Sequence, residues 1–509
     1  MYGDRWTIKE YEMRTAGDVT LPLAIDRADP RPLPRQLADE LRTAIGNGLV
    51  AAGEPVPASR ALAQRLGVSR GTVVSAYDQL LAEGYLLGRV GHGTVVNPAL
   101  RELHPPATGR PSAGRRDAGP PLKLIDLRPG QPWTADVVNT AWRAAWRRAA
   151  AHPLAPLPAA GLPELRTEIA DHLRRMRGVR RAAEHVLVTA GARDGLGLLL
   201  GALGPGRRVG VEDPGYPSLR RVPPRLGSSV IPLPTDDAGL VCDDLPTGSD
   251  APHVVVVTPS HQYPLGGSLP VARRQALLDW ARTEHVVIVE DDYDSELRYT
   301  SAPLPALAAL DDPDDGCVVT LGTFAKTLGP GLGVGFLLAP DRLVDELRRT
   351  RSDLGQPVSQ VAQWALADYL ASGELRRHTQ RMRREYRRRR ALVLEALGDL
   401  PNARVKAMDG GLHAVLESEI PEAELISRIR SKGVVVAGLA DYWSRPAAGA
   451  GGIVLGYGGV PVEELRTGLV AIAEAARDRD GASTERVPAP NEKGPVNAGL
   501  QNGCVGLAE

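Results

Sequence analysis

Apolar residues recur at every fourth position near the start of the chain, which is the spacing of one face of an α-helix. Within residues 33–50 these positions are Leu37, Leu41, Ile45 and Leu49. The segment "AAGEPVPASR" then breaks the period, and Ser59 is placed to cap a second helix that runs to Leu66. The pattern therefore predicts two consecutive helices separated by a turn that contains Gly and Pro.

A third helix and a hairpin are predicted directly afterwards. The turn "GVS" at 67–69 leads to an apolar-periodic segment at 70–83, which Gly84 ends. Beyond it, "YLLGRVGHGTVV" predicts two short strands joined by a glycine-rich tip. Helix, helix, turn, helix and hairpin in this order indicate a winged helix-turn-helix domain at 31–97, preceded by an N-terminal extension at 1–30.

The rest of the chain alternates between strand and helix patterns. Residues 98–122 are dense in Pro, Gly and Arg, which predicts a flexible linker. Short apolar runs then alternate with helical segments, and four of these runs lie at 185–190, 253–259, 285–292 and 317–322. This alternation predicts an α/β domain at 123–477, with a mostly parallel sheet covered on both faces and a smaller C-terminal α+β subdomain. The polar tail at 478–509 is predicted to be disordered.

Composition narrows the class of protein. The chain has 509 residues and no net formal charge. This length predicts two or three domains, and zero net charge means that any contact with nucleic acid depends on where individual arginines lie. No apolar run is long enough to cross a bilayer, and the N-terminus lacks the apolar core of a secretory signal. Three scattered cysteines predict neither a disulfide framework nor a metal site, so we expect a cytoplasmic protein.

Residues suited to contact DNA lie at two helix starts and at the hairpin. Free N–H groups and the helix dipole attract phosphate, and the first turn of a recognition helix faces base edges. Glycines at the tip let the backbone approach a groove closely. We predict DNA contacts by Ser59, Arg60, Ser69, Arg70, Thr72, Arg89, Gly91, His92 and Gly93. The alternative is a small helical domain used for protein contacts, with its arginines in solvent.

This segment resembles the GntR-type winged-helix family over about residues 33–97, with Tyr77, Glu83 and Gly84 as structural landmarks. The resemblance implies a domain that binds operator DNA. Gly71 and His92 differ from the polar residue and the serine expected there, so the resemblance also implies a changed base preference.

Polar groups at strand ends in the second domain match the needs of pyridoxal phosphate chemistry. That cofactor needs a lysine amine, a carboxylate for the pyridine nitrogen, an aromatic or hydroxyl group near the ring oxygen, and a cup for the phosphate. Lys326 follows "VVTLGTFA", Asp291 and Tyr293 lie in "VVIVEDDYDSELRY", and Tyr216 lies in "VEDPGYPSL". Because ligands of a doubly wound sheet bind at its strand ends, we expect these groups to converge.

Residues 120–475 are similar to fold-type I aminotransferases. The motifs "TPSHQYPLGGSLPVARRQALLDWA", "EDDYDSELRY" and "GTFAKTLGPGLGVGF", joined to the N-terminal domain, resemble the MocR family of bacterial regulators. The resemblance implies a head-to-tail homodimer that binds pyridoxal 5'-phosphate and switches transcription in response to a small molecule. It gives Lys326 the covalent bond to the cofactor, Asp291 the pyridine nitrogen, Tyr293 the ring oxygen and Tyr216 a place beside the ring.

Several positions depart from the family's pattern. Ala325 stands where serine is usual, Gly333 stands where arginine is usual, and Arg193-Asp194 replaces a glutamine pair. The tyrosine expected from the neighbouring subunit would fall near Pro156, in "APLPAAGLPELR". A phosphate deprived of arginine loses charge-assisted hydrogen bonds of about 1.5–3 kcal/mol each. The groups that could partly replace them are Arg193, Thr189, Thr323 and the helix N-terminus after Gly191. The segment "GGIVLGYGG" also lacks the arginine that often holds an amino acid's carboxylate.

These features favour a transcriptional regulator that senses pyridoxal phosphate or an amino-acid-derived effector, without efficient turnover and without an assigned catalytic residue. Two alternatives stay open: an active aminotransferase with an appended DNA-binding module, and a regulator that has lost the cofactor and senses another small molecule.

Two further features allow more than one interpretation. The segment 376–390 carries nine arginines and could hold DNA phosphate or dock the winged helix. We favour a solvated basic helix face with Leu375, Met382 and Tyr386 pointing inward. His261 could approach the cofactor or serve as a hydrogen-bonding group of its loop.

Overall fold

The computed structural model describes residues 23–89, 93–100, 124–298, 305–312, 315–445 and 451–477. The chain divides into two compact units between Pro121 and Leu122. The start of the predicted N-terminal extension, nearly all of the predicted linker and the predicted tail lie outside the described residues. The same holds for Gly91, His92 and the side chain of Arg89.

The N-terminal unit has the predicted helices and hairpin. Its elements are α1 (Leu33–Gly46), α2 (Ser59–Leu66), α3 (Arg70–Ala82), β1 (Leu86–Arg89) and β2 (Gly93–Val96). The two strands pair antiparallel, with Leu86 opposite Val96. Side chains from every element close one apolar core, which includes Leu37, Leu41, Leu62, Val73, Leu80 and Leu86. The winged helix-turn-helix prediction is therefore confirmed, and the segment from residue 23 adds Leu23 and Ile25 to the same core.

The first helix ends earlier than the apolar period predicts. Gly48 has a φ of +72°, the left-handed conformation that glycine adopts without strain. The N–H groups of Gly48 and Leu49 donate to the carbonyls of Ile45 and Ala44 at 3.0 and 2.9 Å, which is a Schellman termination. Leu49 is consequently 57% exposed, and Val50 enters the core instead. The predicted helical stripe is wrong at its last position.

The second unit contains twelve helices and fourteen strands among its described residues. The helices are α4 (Thr140–Ala150), α5 (Pro163–Arg177), α6 (Ala192–Leu203), α7 (Pro217–Arg220), α8 (Val222–Arg225), α9 (Val271–Thr283), α10 (Leu307–Leu310), α11 (Asp341–Leu354), α12 (Gln360–Ala371), α13 (Glu374–Leu397), α14 (Glu422–Ser431) and α15 (Val462–Arg477). The strands are β3 (Ile125–Asp126), β4 (Val186–Thr189), β5 (Arg208–Asp213), β6 (Ser229–Asp236), β7 (Gly239–Leu240), β8 (Val254–Val257), β9 (Val287–Asp292), β10 (Val318–Thr323), β11 (Gly335–Leu338), β12 (Ala403–Val405), β13 (His413–Ser418), β14 (Val434–Val435), β15 (Ala437–Gly438) and β16 (Gly452–Gly456).

Eight strands form one large sheet in the order β4-β11-β10-β9-β8-β5-β6-β7. The central pairs from β10 through β6 are parallel, and β11 runs antiparallel to both of its neighbours. Apolar side chains of α5 and α9 cover one face, and those of α6 and α11 cover the other. This confirms the mostly parallel sheet. It also places the carboxyl ends of β9 and β10 side by side at one edge.

A smaller subdomain forms around a second sheet, in the order β12-β13-β16-β15. Its core is separate from that of the large sheet and includes residues of α13, α14 and α15. β3 pairs in parallel with β14, so the first described strand of this unit belongs to the small subdomain. Among the described residues, we find no helix with the length and apolar character of a membrane span.

The arginine-rich helix α13 is only partly a solvated face. Leu375, Met382 and Tyr386 are buried, as predicted. Arg389 is buried as well, contrary to the solvated interpretation, because its guanidinium donates to the carbonyls of Tyr457 (3.1 Å), Gly458 (3.1 Å) and Val460 (2.7 Å). It also lies over the ring of Trp133. This arginine connects the helix to the small subdomain.

The two leucines at positions 41 and 49 provide a test of the N-terminal core. We expect Leu41→Ala to destabilise that unit by about 2–5 kcal/mol, because Leu41 is fully buried. Leu49→Ala should change its stability by no more than about 0.5 kcal/mol, since Leu49 is mostly exposed. Calorimetric unfolding of the intact chain measures both variants. Equal effects of the two substitutions would contradict the helix end described above.

Candidate functional site

A cavity of about 330 Å³ lies at the carboxyl ends of β9 and β10 in the second unit. The structure brings all six predicted cofactor-binding residues to its wall: Arg193, Tyr216, Asp291, Tyr293, Thr323 and Lys326. The wall also includes residues for which we made no prediction, among them Gly130, Gln131, Ser218 and Tyr263. The strand-end argument therefore located the cavity, while the role of each residue stays a prediction.

Lys326 reaches the cavity from the turn after β10. Its Nζ donates to the carbonyl of Gly130 at 2.9 Å. Burial lowers the pKa of Lys326, and the carboxyl groups of Asp294 and Asp291 partly oppose that effect. A lowered pKa raises the share of neutral amine, which is the nucleophilic form needed to attack a carbonyl group. Gly130 lies far away in the sequence, so no local signal pointed to it.

Asp291 is the acidic group that faces the cavity from β9. Its Oδ1 is buried and has no hydrogen-bond partner among the described atoms. Burial raises its pKa to about 8, the nearby Asp292 acts in the same direction, and Lys326 opposes them. A buried acceptor without a donor is costly. A ligand that brings a protonated ring nitrogen to this oxygen would remove that cost.

Two acidic neighbours of Asp291 do have partners. Asp292 Oδ2 accepts from Arg177 Nε at 2.7 Å, and both side chains are nearly fully buried. Asp294 Oδ2 lies 2.9 Å from Nδ1 of His261. Asp292 also has a buried oxygen without a partner, Oδ1, but its other oxygen is paired with Arg177. Among Asp291, Asp292 and Asp294, Asp291 is the carboxyl group for which the described residues provide no ion pair.

Three tyrosine rings line the cavity. Tyr216 and Tyr263 meet edge to face with ring centroids 5.1 Å apart, and Tyr263 meets Tyr293 in the same manner at 5.6 Å. Burial raises the pKa of Tyr263 and of Tyr293 well above 10, so both stay protonated at neutral pH. We assigned no role to Tyr263 from the sequence. The signal that could have identified it is its position in the family motif "TPSHQYPLGGSLPVARRQALLDWA".

The hydroxyl of Tyr293 is engaged with the loop that carries His261. It lies 3.0 Å from the His261 carbonyl and 3.0 Å from the His261 ring nitrogen Nδ1. His261 itself is buried and is absent from the described lining of the cavity. This geometry favours the loop-holding interpretation of His261, in which it positions Tyr293.

The opposite end of the cavity offers groups suited to a phosphate. Ala190, Gly191, Ala192 and Arg193 line it at the start of α6, where no side chain caps the helix. A helix N-terminus of this kind presents free N–H groups and a positive dipole to an anion. The N–H groups of Ala190 and Gly191 already donate, to the Asp194 carboxylate at 2.9 Å and to the Thr189 hydroxyl at 3.3 Å. The negative charge of Asp194 is paired with Arg351 at 2.7 Å.

The threonines contribute less than expected. Thr323 lines the cavity, but its hydroxyl accepts from the N–H of Ala325 at 3.1 Å. Thr189 is fully buried, its hydroxyl contacts the backbone of Gly191, and it is absent from the described lining. Gly333 has a φ of +61°, so an arginine there would be strained even though a Cβ would meet nothing within 4 Å. A phosphate bound in this cavity would therefore depend on the start of α6 and on Arg193.

Taken together, the donor and acceptor set fits pyridoxal phosphate. Lys326 would hold the aldehyde carbon, the unpartnered Asp291 oxygen would take the ring nitrogen, the tyrosines would enclose the ring and the start of α6 would receive the phosphate. Pro156 is exposed and is absent from the described lining, so the expected neighbour-subunit position contributes nothing to the cavity of its own chain.

In the N-terminal unit, four of the predicted DNA-contact residues, Ser59, Ser69, Arg70 and Thr72, meet at the start of α3. Ser69 caps this helix, since its Oγ accepts from the N–H of Thr72 at 3.1 Å. Ser59 is the first residue of α2 and not its cap, which is Ala58; the capping prediction is wrong there. The Ser59 hydroxyl instead accepts from Arg70 Nε at 3.4 Å.

The remaining predicted contacts are exposed or lie at the hairpin. Arg60 and Arg70 are both exposed at the starts of α2 and α3. Gly93 begins β2 with a φ of +75°. The predictions for Gly91, His92 and the Arg89 side chain fall outside the described residues.

Comparison with known protein families identifies two matches along the chain. Residues 33–96 match the bacterial regulatory proteins of the gntR family, and residues 123–440 match the aminotransferase class I and II family. The first match covers the winged helix-turn-helix, and the second contains all of the residues that line the cavity.

Similar full-length proteins are regulators. The HTH-type pyridoxine biosynthesis transcriptional regulator PdxR of Corynebacterium glutamicum is 48% identical over 89% of this chain and 98% of its own length. The probable rhizopine catabolism regulatory protein MocR of Rhizobium meliloti is 35% identical over 89% of this chain and 95% of its own length.

Similar solved structures are aminotransferases. An archaeal alanine:glyoxylate aminotransferase superposes with a TM-score of 0.65 at 24% identity, over 71% of this chain and 92% of that one. An aminotransferase from Mycobacterium tuberculosis superposes with a TM-score of 0.61 at 23% identity, over 70% and 92%. At these identities the likeness establishes the fold alone.

Asp291 and Asp292 are expected to respond in opposite ways to the same substitution. Asp291 has an ordinary pKa of 3.8 and a folded pKa of about 8, so the folded state holds the proton more tightly between these values. Its contribution to stability is therefore full at low pH and is lost as the pH rises towards 8. With no pyridoxal phosphate added, Asp291→Asn should stabilise the protein at pH 8 by on the order of 1–3 kcal/mol, and much less at pH 5.

The matched control is the adjacent residue. Asp292→Asn should destabilise the protein by about 3–5 kcal/mol, because it leaves Arg177 buried without its ion-pair partner. Denaturant unfolding at both pH values measures the two variants. A wild-type advantage over Asp291→Asn that persists at pH 8 would contradict the assignment of an uncompensated carboxyl group.

Proposed function

Because the chain belongs to the MocR-type family of GntR-class transcriptional regulators, we propose that its aminotransferase-like unit senses pyridoxal phosphate and thereby controls binding of the N-terminal unit to operator DNA. The observation that carries this proposal is the pairing of Lys326 with the unpartnered Asp291 oxygen across one cavity. A lysine and a lone acid in this arrangement serve the two ends of a pyridine aldehyde.

The cavity favours the cofactor itself as the effector over an amino-acid adduct. Among the described lining residues, Arg193 is the single arginine, and it lies at the phosphate end. β16 instead contributes Val454 to a buried cluster with Tyr263, Val415 and Tyr442 beside the cavity. Apolar side chains in this place give an amino acid's carboxylate no charged partner. The name of the Corynebacterium glutamicum relative, a pyridoxine biosynthesis regulator, is consistent with an effector of this class.

The same feature supports regulation without efficient turnover. A transaminase must hold both the cofactor and the carboxylate of successive amino-acid substrates, and the binding energy of that carboxylate helps to orient the reacting carbon. Here the described wall has one lysine, Lys326, and one arginine, Arg193, and both are needed for the cofactor in this proposal, so no further cationic side chain remains for a substrate carboxylate. The enzyme alternative predicts many turnovers per site with an amino acid and a keto acid, and we expect none.

We further propose that the protein acts as a head-to-tail homodimer on paired half-sites. The loop between α4 and α5 supports this arrangement, because Leu154 is 82% exposed there and Pro156 does not line the cavity of its own chain. Ligand control of such a dimer requires that pyridoxal phosphate bind one arrangement of the two units more tightly than the other. Since operator DNA lies in the bacterial cytoplasm, that is where the regulator would act.

Absorbance spectroscopy tests the cofactor proposal. Pyridoxal phosphate added to the full-length protein should give a band near roughly 400–430 nm, a range typical of this cofactor bound through a lysine. Lys326→Ala should abolish the band, because the amine is removed. Lys406→Ala is the control, since Lys406 lies outside the cavity and pairs with Asp237 on the surface. Loss of the band in both variants, or in neither, would sink the assignment.

Operator binding tests the helix-start contacts. With a DNA fragment that the intact protein selects from genomic DNA, Arg70→Ala should weaken binding by about 1–3 kcal/mol, which is the range for a base-edge contact. Arg384→Ala, an exposed arginine of α13, should leave affinity unchanged if the basic helix does not hold DNA. Electrophoretic mobility shift at fixed salt measures both. A larger loss of operator affinity for Arg384→Ala than for Arg70→Ala would indicate that DNA binds at α13 and contradict the contacts assigned to α3.

A further inference from the structure

A second concave surface adjoins the mouth of the cofactor cavity. It is a groove of about 940 Å³ that shares Arg193 and Ser218 with the cavity. Five arginines line it, from three separate segments: Arg193 at the start of α6, Arg220, Arg221 and Arg225 on α7, α8 and their junction, and Arg445 after Trp443. No carboxylate belongs to its described lining. We call this surface the arginine groove.

One of the five arginines builds the wall of the groove. Arg220 donates to the carbonyls of Tyr442 at 2.8 Å and Asp441 at 3.2 Å, and lies 3.7 Å from Asp213. Asp213 also accepts from the N–H of Ser444 at 2.7 Å. These contacts fix the segment that carries Arg445 against the large sheet. The groove is therefore a formed surface between two parts of the same unit.

The other four arginines have no side-chain partner in the described part of the chain. Arg193, Arg221, Arg225 and Arg445 are exposed, and the described residues give none of their side chains an ion pair or hydrogen bond. Because Arg193 also lines the cofactor cavity, Arg221, Arg225 and Arg445 are the three left for a second ligand. Other exposed arginines of this unit have partners, as Arg128 does with Asp126 and Arg349 with Glu346. Burial lowers the pKa of Arg220, and the charge of Arg221 acts in the same direction although Asp213 opposes it. The surface therefore carries an excess of positive charge that an anion would relieve.

The floor of the groove is apolar. Val222, Leu226 and Val230 form part of it, and Leu226 is 41% exposed. An inorganic anion would use the arginines but not this floor. The phosphate backbone of duplex DNA would also leave it uncovered, because the aromatic bases are stacked inside the helix. A floor of this type beside arginines suits a ring-bearing phosphate ester, whose ring lies on the aliphatic side chains while its phosphates take the guanidinium groups.

We propose that the arginine groove is a second ligand site, separate from the cofactor cavity, that binds a phosphate ester carrying an aromatic ring. A free nucleotide and a second molecule of pyridoxal phosphate share this chemistry, and the experiment separates them. Arg221 and Arg225 do not line the cofactor cavity, so their substitution tests the groove alone.

Isothermal titration calorimetry on the full-length protein is the test, with EDTA present and with excess pyridoxal phosphate present or absent. We expect adenosine triphosphate to bind once per chain and to persist when pyridoxal phosphate is present. If pyridoxal phosphate instead competes with adenosine triphosphate and binds as a second equivalent per chain, the ligand of the groove is pyridoxal phosphate. That result also supports a second site in the groove. Arg221→Glu/Arg225→Glu should weaken binding at least about 10-fold, as expected for lost charge-assisted contacts.

The matched control reverses two charges elsewhere. Arg384→Glu/Arg388→Glu changes exposed arginines of α13 by the same net charge and should alter the affinity less than about 2-fold. If the groove variant unfolds, Arg221→Gln/Arg225→Gln replaces it. Three results overturn the proposal: no heat of binding at millimolar ligand, equal losses in both charge variants, or a groove variant that loses operator DNA affinity while it keeps adenosine triphosphate.

Discussion

The structure of the cavity depends on Asp291, a buried acid near the end of β9 whose Oδ1 has no hydrogen-bond donor among the described residues. Burial of a carboxylate is costly unless a cation or donor compensates it, and Arg177 and His261 do this for Asp292 and Asp294. Among the described residues, Asp291 has no such ion-pair partner, and its Oδ1 has no hydrogen-bond donor. The same enclosure lowers the pKa of Lys326. Asp291 thus lacks a donor and Lys326 has a lowered pKa, and a bound pyridine aldehyde would supply a ring N–H to the first and a carbonyl carbon to the second.

Much of this arrangement could be predicted from the sequence, because it follows from strand ends. Apolar runs identified β4, β8, β9 and β10, and parallel strands bring the residues after them to one edge. Contacts between distant segments could not be predicted in this way. Gly130 meets Lys326 across 196 positions, and nothing in the sequence around either residue marks that contact. Tyr263 lay in a quoted motif, but its place between two other tyrosine rings depends on the folded sheet.

The errors in the N-terminal unit have local causes. A four-residue period continues through Leu49, yet the left-handed backbone at Gly48 turns the chain before that residue can join the stripe. Ser59 is a residue type that favours the N-cap, but the N-cap of α2 is the preceding residue, Ala58, whose backbone is not helical. Arginine content was similarly ambiguous: Arg389 is buried among carbonyl acceptors and Arg221 is free in a groove, and only tertiary structure separates these cases.

The hydrogen bond between the Gly130 carbonyl and Lys326 connects the cavity to the small subdomain. That carbonyl is the described acceptor for the Lys326 amine, and the same short segment begins with β3, which is tied to the small subdomain. Leu127 donates to Val435 and accepts from Gly456 there. An amine that turns to a ligand must leave this carbonyl. Occupancy of the cavity would therefore remove one hydrogen bond from the segment that follows β3, which is tied to the small subdomain.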